Sequence, residues 1–212
     1  MIKDIIFNPL TFNPLVWVKA LGISFKHCED KLPSVLGKFE ATKSCFWVAS
    51  ATHALFNKIG ISSVLTGGSA AWRYNHHSNQ TLIYTNWCVN LPQPGKDFAG
   101  HCWVETNDYI VDFCDFWFYK EKKKGYKPTS FFIRKEQLLT LNEIKSEQKE
   151  GCYYSSIPGY IKSIEISYEA QDKKCLEIVS EPILSVTKNL FINFALLMYM
   201  RLYEEYLIAE TI

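Results

Sequence analysis

The sequence has no C-x-x-C pair, no G-x-x-x-x-G-K-[ST] phosphate loop, no long unbroken apolar run and almost no net charge. Each absence removes a class of function. The seven cysteines fall at positions 28, 45, 88, 102, 114, 152 and 175. Their odd number and irregular spacing argue against the disulfide framework of a small secreted domain. The opening Met1-Ile-Lys-Asp-Ile-Ile-Phe-Asn-Pro9 lacks the apolar stretch and small-residue cleavage site of a signal peptide. A cytoplasmic protein with reduced thiols is expected. A formal charge of +1 gives no reason to expect nucleic acid as a partner. The basic run over 120–127 is one loop in a neutral protein, which usually means a solvated surface. Residues 183–200 are apolar but interrupted by Lys188, Asn189 and Asn193, short of the roughly 20 residues a spanning helix needs. A buried amphipathic helix is expected there, with no membrane contact. His76-His77 and His27-Cys28 fall short of the four-ligand spacing of a zinc site, so no metal and no cofactor is expected.

What is present is an ordinary globular composition. Hydrophobic residues make up 48% and aromatics 15% of 212 residues, enough for a conventional core. A single domain is expected over 1–212, with its core at about 42–170 and a helical C-terminal segment at about 181–209. Residues 1–30 read as irregular, with turns at Asn8-Pro9 and Asn13-Pro14. Asp30 is placed to cap a short helix to about residue 39, with Pro33 in its first turn. Thr42 or Ser44 then caps a helix whose stripe is Val48, Ala49, Thr52, Leu55, Phe56 and Ile59, ended by Gly60. Strands are expected at 61–66, 81–89, 101–106, 109–114, 131–133 and 161–167, with a charged helix at 135–148 and a loop around Pro92, Pro94 and Gly95. Helices first, strands in the middle and a helix at the end make the class α+β.

Carried back one turn, the stripe of the 45–59 helix reaches Cys45. A thiol at a helix N-terminus meets unpaired N–H groups and the positive end of the macrodipole, which favour a nucleophilic thiolate. The same N–H groups could hold an oxyanion. Asn107-Asp108 is a turn dipeptide. If the turn has two residues, Thr106 faces Tyr109, Trp103 faces Asp112 and His101 faces Cys114. His101, Trp103, Glu105, Ile110, Asp112 and Cys114 then share one face. His101 and Asp112 become diagonal neighbours, roughly 6–8 Å apart at Cβ, within reach of a carboxylate–imidazole hydrogen bond. A three-residue loop would turn Asp112 to the other face. Asp115 falls on the opposite face. Glu105 reads as a structural hydrogen-bonding residue, and Trp103 as packing against the histidine. Gly67-Gly68 reads as a place where backbone approaches closely, beside a substrate chain.

Cys45 at a helix start, Asn57-Lys-Ile-Gly60-Ile61 leading into a strand, His101-Cys-Trp-Val-Glu105 and Tyr109-Ile-Val-Asp112 together resemble the transglutaminase-like core of the papain-like superfamily. The likeness covers about 42–113, roughly a third of the chain. The loop between the His and Asp strands is shorter than usual in that family, and Phe113 stands where a proline often follows the aspartate. The resemblance implies a papain-like fold, with an N-terminal catalytic helix packed on an antiparallel sheet and a long C-terminal helix added. It also implies Cys45 as nucleophile, His101 as base and Asp112 as third member.

The function expected from both lines is acyl transfer through a Cys45-His101-Asp112 triad, hydrolysing an amide or peptide bond of a protein, peptide or small-amide substrate. Three alternatives stand beside it: a catalytically silent binding module of the same fold, a transglutaminase, and an acetyltransferase fed by acyl-CoA.

Overall fold

Asn13-Pro14 starts a helix. The computed structural model describes residues 12–31, 41–73, 81–83, 100–114, 131–146, 151–176 and 184–210. Within them, α1 spans Pro14–Lys31, where an irregular segment was expected. The Asn13 side chain accepts the N–H groups of Leu15 and Val16 at 3.0 and 3.2 Å, which is N-cap chemistry. Pro14 sits at the first helical position, where its missing N–H costs nothing. Trp17, Ala20, Leu21, Ser24, Phe25 and Cys28 are buried, a three-and-four spacing along one helix face. Asp30 lies in the last turn of α1 rather than capping a new helix. The rest of that expected helix falls outside the described residues.

The expected second helix is present as α2, Ala41–Lys58. All six stripe residues are buried. Gly60 has φ +82°. The Ile61 N–H reaches the Phe56 carbonyl and the Gly60 N–H reaches that of Asn57, so the helix closes in a Schellman motif. The chain divides into two compact units, and α1 and α2 belong to the first: Met1–Val64, Asp112–Phe131 and Val186–Ile212. Its third main element is the C-terminal helix, Leu184–Glu210, here α5. This helix buries Phe191, Ala195, Tyr199 and Tyr203, one residue per turn. Tyr199 is a hub. Its ring meets Phe12 and Trp17 at 5.8 and 5.6 Å, and its hydroxyl accepts the Asn13 N–H at 3.1 Å. Burial pushes this phenol up to about 12. The Trp17 indole donates to Thr52, whose hydroxyl donates in turn to the Val48 carbonyl. Among the described residues, no helix is long and apolar enough to cross a membrane.

The second unit, Leu65–Val111 and Phe132–Ser185, holds the sheet. Its strands are β1 (Val64–Arg73), β2 (Thr81–Ile83), β3 (His101–Glu105), β4 (Tyr109–Val111), β5 (Phe132–Arg134) and β6 (Gly151–Ser156). Their order is β2-β1-β3-β4-β5, with β6 also paired to β1. The β1–β2, β1–β6, β3–β4 and β4–β5 pairs are antiparallel. With the helices, this makes an α+β protein. Ala70, Trp72, Trp103, Ile110, Cys152 and Tyr154 form a core cluster on the sheet.

Several expectations change here. The first strand starts three residues later and runs through Gly67-Gly68 to Arg73. Only 81–83 of the strand expected at 81–89 lie within the described residues, and the loops expected at 92–95 and 120–127 lie outside them. The charged helix at 135–148 is instead a 3-10 turn, Lys135–Gln137, followed by the five-residue α3, Leu141–Lys145. Thr140 divides the two by forming a capping box with Glu143. The strand expected at 161–167 is part of a helix, α4, Tyr160–Leu176. Its buried residues Tyr160, Ile164, Ser167 and Tyr168 recur at helical spacing.

Near the end of α2, Asn57 meets His53 Nε2 at 3.1 Å and Ser63 meets His53 Nδ1 at 3.0 Å. With the Asn57 amide donating, Nδ1 carries the proton and the neutral imidazole satisfies both neighbours. Burial lowers the His53 value from the usual 6.5. The unfolded chain therefore takes up the proton first as pH falls. The stability from neutral His53 is whole above 6.5 and is lost as pH drops through its lower folded value. Thermal melts from pH 7.5 to 5.5 should fall more steeply for the wild type than for His53→Gln. Parallel curves would contradict this assignment.

Candidate active site

Cys45 is the fifth residue of α2, because the helix begins at Ala41. Thr42 and Ser44, expected as caps, both lie inside the helix. Cys45 is thus one turn in from the helix tip. The unpaired N–H groups belong to the turn ahead of it, and a helical Cβ leans back toward that turn. Cys45 is 3% exposed, and Phe46 beside it in sequence is buried as well. Cys28, in the same unit, provides a contrast. Burial pushes its thiol up to about 11, which leaves it inert at neutral pH. Its neighbour His27 stacks on Phe194 with centroids 4.0 Å apart. Among the described residues, no group of three or more His, Cys, Asp or Glu is arranged to hold a metal. His76 and His77 lie outside those residues.

The β3–β4 hairpin has the two-residue turn. Val104 pairs with Val111 and Glu105 with Ile110, and the Thr106 N–H donates to the Tyr109 carbonyl at 2.9 Å. His101 heads β3 and is 1% exposed. Among the described residues, rings that meet it are Trp72 at 5.2 Å, nearly perpendicular; Trp103 at 6.1 Å, stacked; and Tyr154 at 6.4 Å. The Trp72 indole donates to the Tyr154 hydroxyl at 3.0 Å, so two walls of this box are tied together. Trp103 packs against the histidine as expected. Glu105 accepts the Trp103 indole N–H at 3.0 Å and pairs with Lys135 at 2.8 Å, a structural role as expected. Trp72 and Tyr154 were not foreseen. Finding them requires β1 to continue past Gly67-Gly68 and β6 to exist.

Asp112 follows β4 directly and is 3% exposed. Its Oδ1 accepts the Cys114 N–H at 2.9 Å, an i to i+2 side-chain turn that ends the strand. Its own N–H donates to the Phe131 carbonyl at 3.0 Å. Asp115 lies outside the described residues. Cys45 and Asp112 belong to the first compact unit and His101 to the second.

Gly67, Gly68 and Gly100 do allow close approach, but to the chain's own groups. A Cβ at Gly68 would strike the Ser155 carbonyl of β6. At Gly67 or Gly100 it would strike the Tyr160 ring at the start of α4. Tyr160 therefore packs against the backbone just before His101. Gly100→Ala should cost about 1–3 kcal/mol in urea unfolding, through overpacking. The same change should cost almost nothing in a Tyr160→Ala background, which a double-mutant cycle reads directly. Simple additivity would contradict the contact.

No protein-family model and no curated protein matches the chain. Among solved structures, the crystal structure of a genomics target is similar, with 13% identity and a TM-score of 0.50, covering 86% of this chain and 80% of that one. At that identity the likeness bears on the fold alone, and it agrees with an α+β architecture.

Proposed function

We propose that this protein is a cysteine-dependent acyl-transfer enzyme on a papain-like, transglutaminase-core fold, with Cys45 as nucleophile, His101 as base and Asp112 orienting the imidazole. The observation that carries the proposal is the closed two-residue turn at Asn107-Asp108. A longer loop would turn the residue after β4 away from the His101 face. Burial adds support, because imidazole and carboxylate groups are seldom kept inside a fold without a structural or chemical reason. The aromatic box holds the His101 ring, and the Cys114 N–H holds the Asp112 carboxylate.

In the proposed reaction the Cys45 thiol passes its proton to His101, and the sulfur bonds to an amide carbonyl carbon. The tetrahedral oxyanion collapses, the C–N bond breaks and the amine leaves with the proton from His101. Water, deprotonated by His101, then attacks the thioester, releasing a carboxylic acid and restoring the thiol. An amine in place of water would give transamidation. The substrate class is a protein, a peptide or a small amide, met in the cytoplasm.

A second function, binding without turnover, is favoured by one observation: Cys45 lies one turn inside α2 rather than at its tip. Iodoacetamide at pH 7, with mass mapping of the cysteines, separates the two. The enzyme requires Cys45 to label well ahead of Cys28, with His101→Ala slowing it at least about tenfold. Cys45 labelling no faster than Cys28 would favour the binding module. On a panel of fluorogenic amides, Cys45→Ala and His101→Ala should abolish turnover, and Asp112→Asn should lower kcat by roughly 10³–10⁴. Unchanged rates in any of the three would overturn its assigned role.

A further inference from the structure

α5 buries Phe191, Ala195, Tyr199 and Tyr203 along one side. Along the other, Leu197 and Ile208 are 59% and 56% exposed, and Arg201 and Glu204 between them are exposed as well. At about 3.6 residues per turn these four fall within roughly 60° of arc, turned away from Tyr199. Apolar residues scattered singly over a surface need no explanation. These are not scattered. They step by four, three and four residues, the alternation of a coiled-coil seam. Read along the seam, the order is apolar, basic, acidic, apolar, which is complementary to its own reverse. Arg201 already meets Glu205 on the same helix at 3.5 Å, and a guanidinium with five donors can serve a second carboxylate.

We infer that this face of α5 pairs, antiparallel, with the same face of a second copy of the chain. With the two-fold axis between Leu202 and Tyr203, Leu197 meets the partner's Ile208 and Arg201 meets the partner's Glu204. The symmetry makes each contact twice, as in any isologous interface. A parallel pair would set like charges against each other. The apolar contacts supply the affinity, while the charges fix direction and register. The segment is only about 16 Å long, less than a standard interface occupies. The dimer is accordingly weak, with Kd on the order of 10–100 µM.

The test is sedimentation velocity on the full chain from about 2 to about 500 µM. The wild type should pass from monomer to dimer within that range. Leu197→Glu should weaken association at least about tenfold, because each dimer loses two apolar contacts. Leu190 lies on the same line of α5, two turns earlier and beyond the paired segment, so Leu190→Glu should leave the equilibrium unchanged. Arg201→Glu and Glu204→Arg should each weaken association at least about tenfold by setting like charges together. Mixed in equal amounts, these two variants should associate as strongly as the wild type, since every charge then meets its opposite. That recovery also requires both to be folded. A wild type that stays monomeric throughout would overturn the pairing. So would Leu197→Glu without effect, Leu190→Glu as damaging as Leu197→Glu, or a mixture that fails to recover. A monomer that floats with phosphatidylcholine vesicles, and loses that ability in Leu197→Glu, would assign the face to lipid and overturn the dimer as well.

Discussion

The closure of the chain at Asn107-Asp108 is the constraint on which the second unit depends. Side chains alternate along a strand, so one residue more in that turn would exchange the two faces of β4 relative to β3. Trp103 and Ile110 would no longer share the core cluster, and the pairing of β4 with β5 would present different side chains to that core. The turn is held by the Thr106 N–H on the Tyr109 carbonyl and by the Tyr109 N–H on the Thr106 hydroxyl. From just outside it, the Lys135 N–H reaches the Asp108 carbonyl, and Lys135 also pairs with Glu105. A few polar contacts therefore set how the side chains of β4 face those of β3, Ile110 against Trp103 among them.

Elements with regular periodicity and clear borders were legible in the sequence. α2 shows its stripe and its terminating Gly60, and α5 buries residues four apart from Phe191 to Tyr203. The hairpin announced itself through its turn dipeptide. α1 did not, because Asn-Pro spells a turn as readily as a cap followed by a first helical residue. α4 does not show in the pattern, because Ile161, Ile164 and Ile166 give a β-branched look to a segment whose burial is helical. The full length of β1 is hidden, because a glycine pair reads as an end. Here it marks where β6 and Tyr160 press against the strand. The candidate site was legible only as far as those elements were. His101, Trp103 and Glu105 came with the hairpin, while Trp72, Tyr154 and Tyr160 depended on strands and a helix that local pattern did not show.

Two sets of buried polar groups stand apart among the described residues. Thr52, Ser24 and Trp17 are satisfied by nearby groups within their own helical unit and serve packing. His101, Asp112 and Arg73 carry or can carry charge, and they stand at strand ends, where the regular ladder stops. Local consistency is most often broken at functional positions. The concentration of such breaks at the ends of β1, β3 and β4 sets these strand ends apart from the helical stripes.

The hydrogen bond from Asn13 to Tyr199 joins residues 186 positions apart. Its consequence is temporal. The helical unit is assembled from both ends of the sequence, whereas the sheet unit draws on its interior. During synthesis, every described strand of the sheet has been made before α5 exists. α1 and α2 must meanwhile keep Trp17, Phe25 and Phe56 from other apolar surfaces until the last helix arrives. Long-range closure of this kind slows folding and lengthens the exposure of apolar surface. The order of translation thus leaves the helical unit waiting on its last described helix after the described strands have all been made.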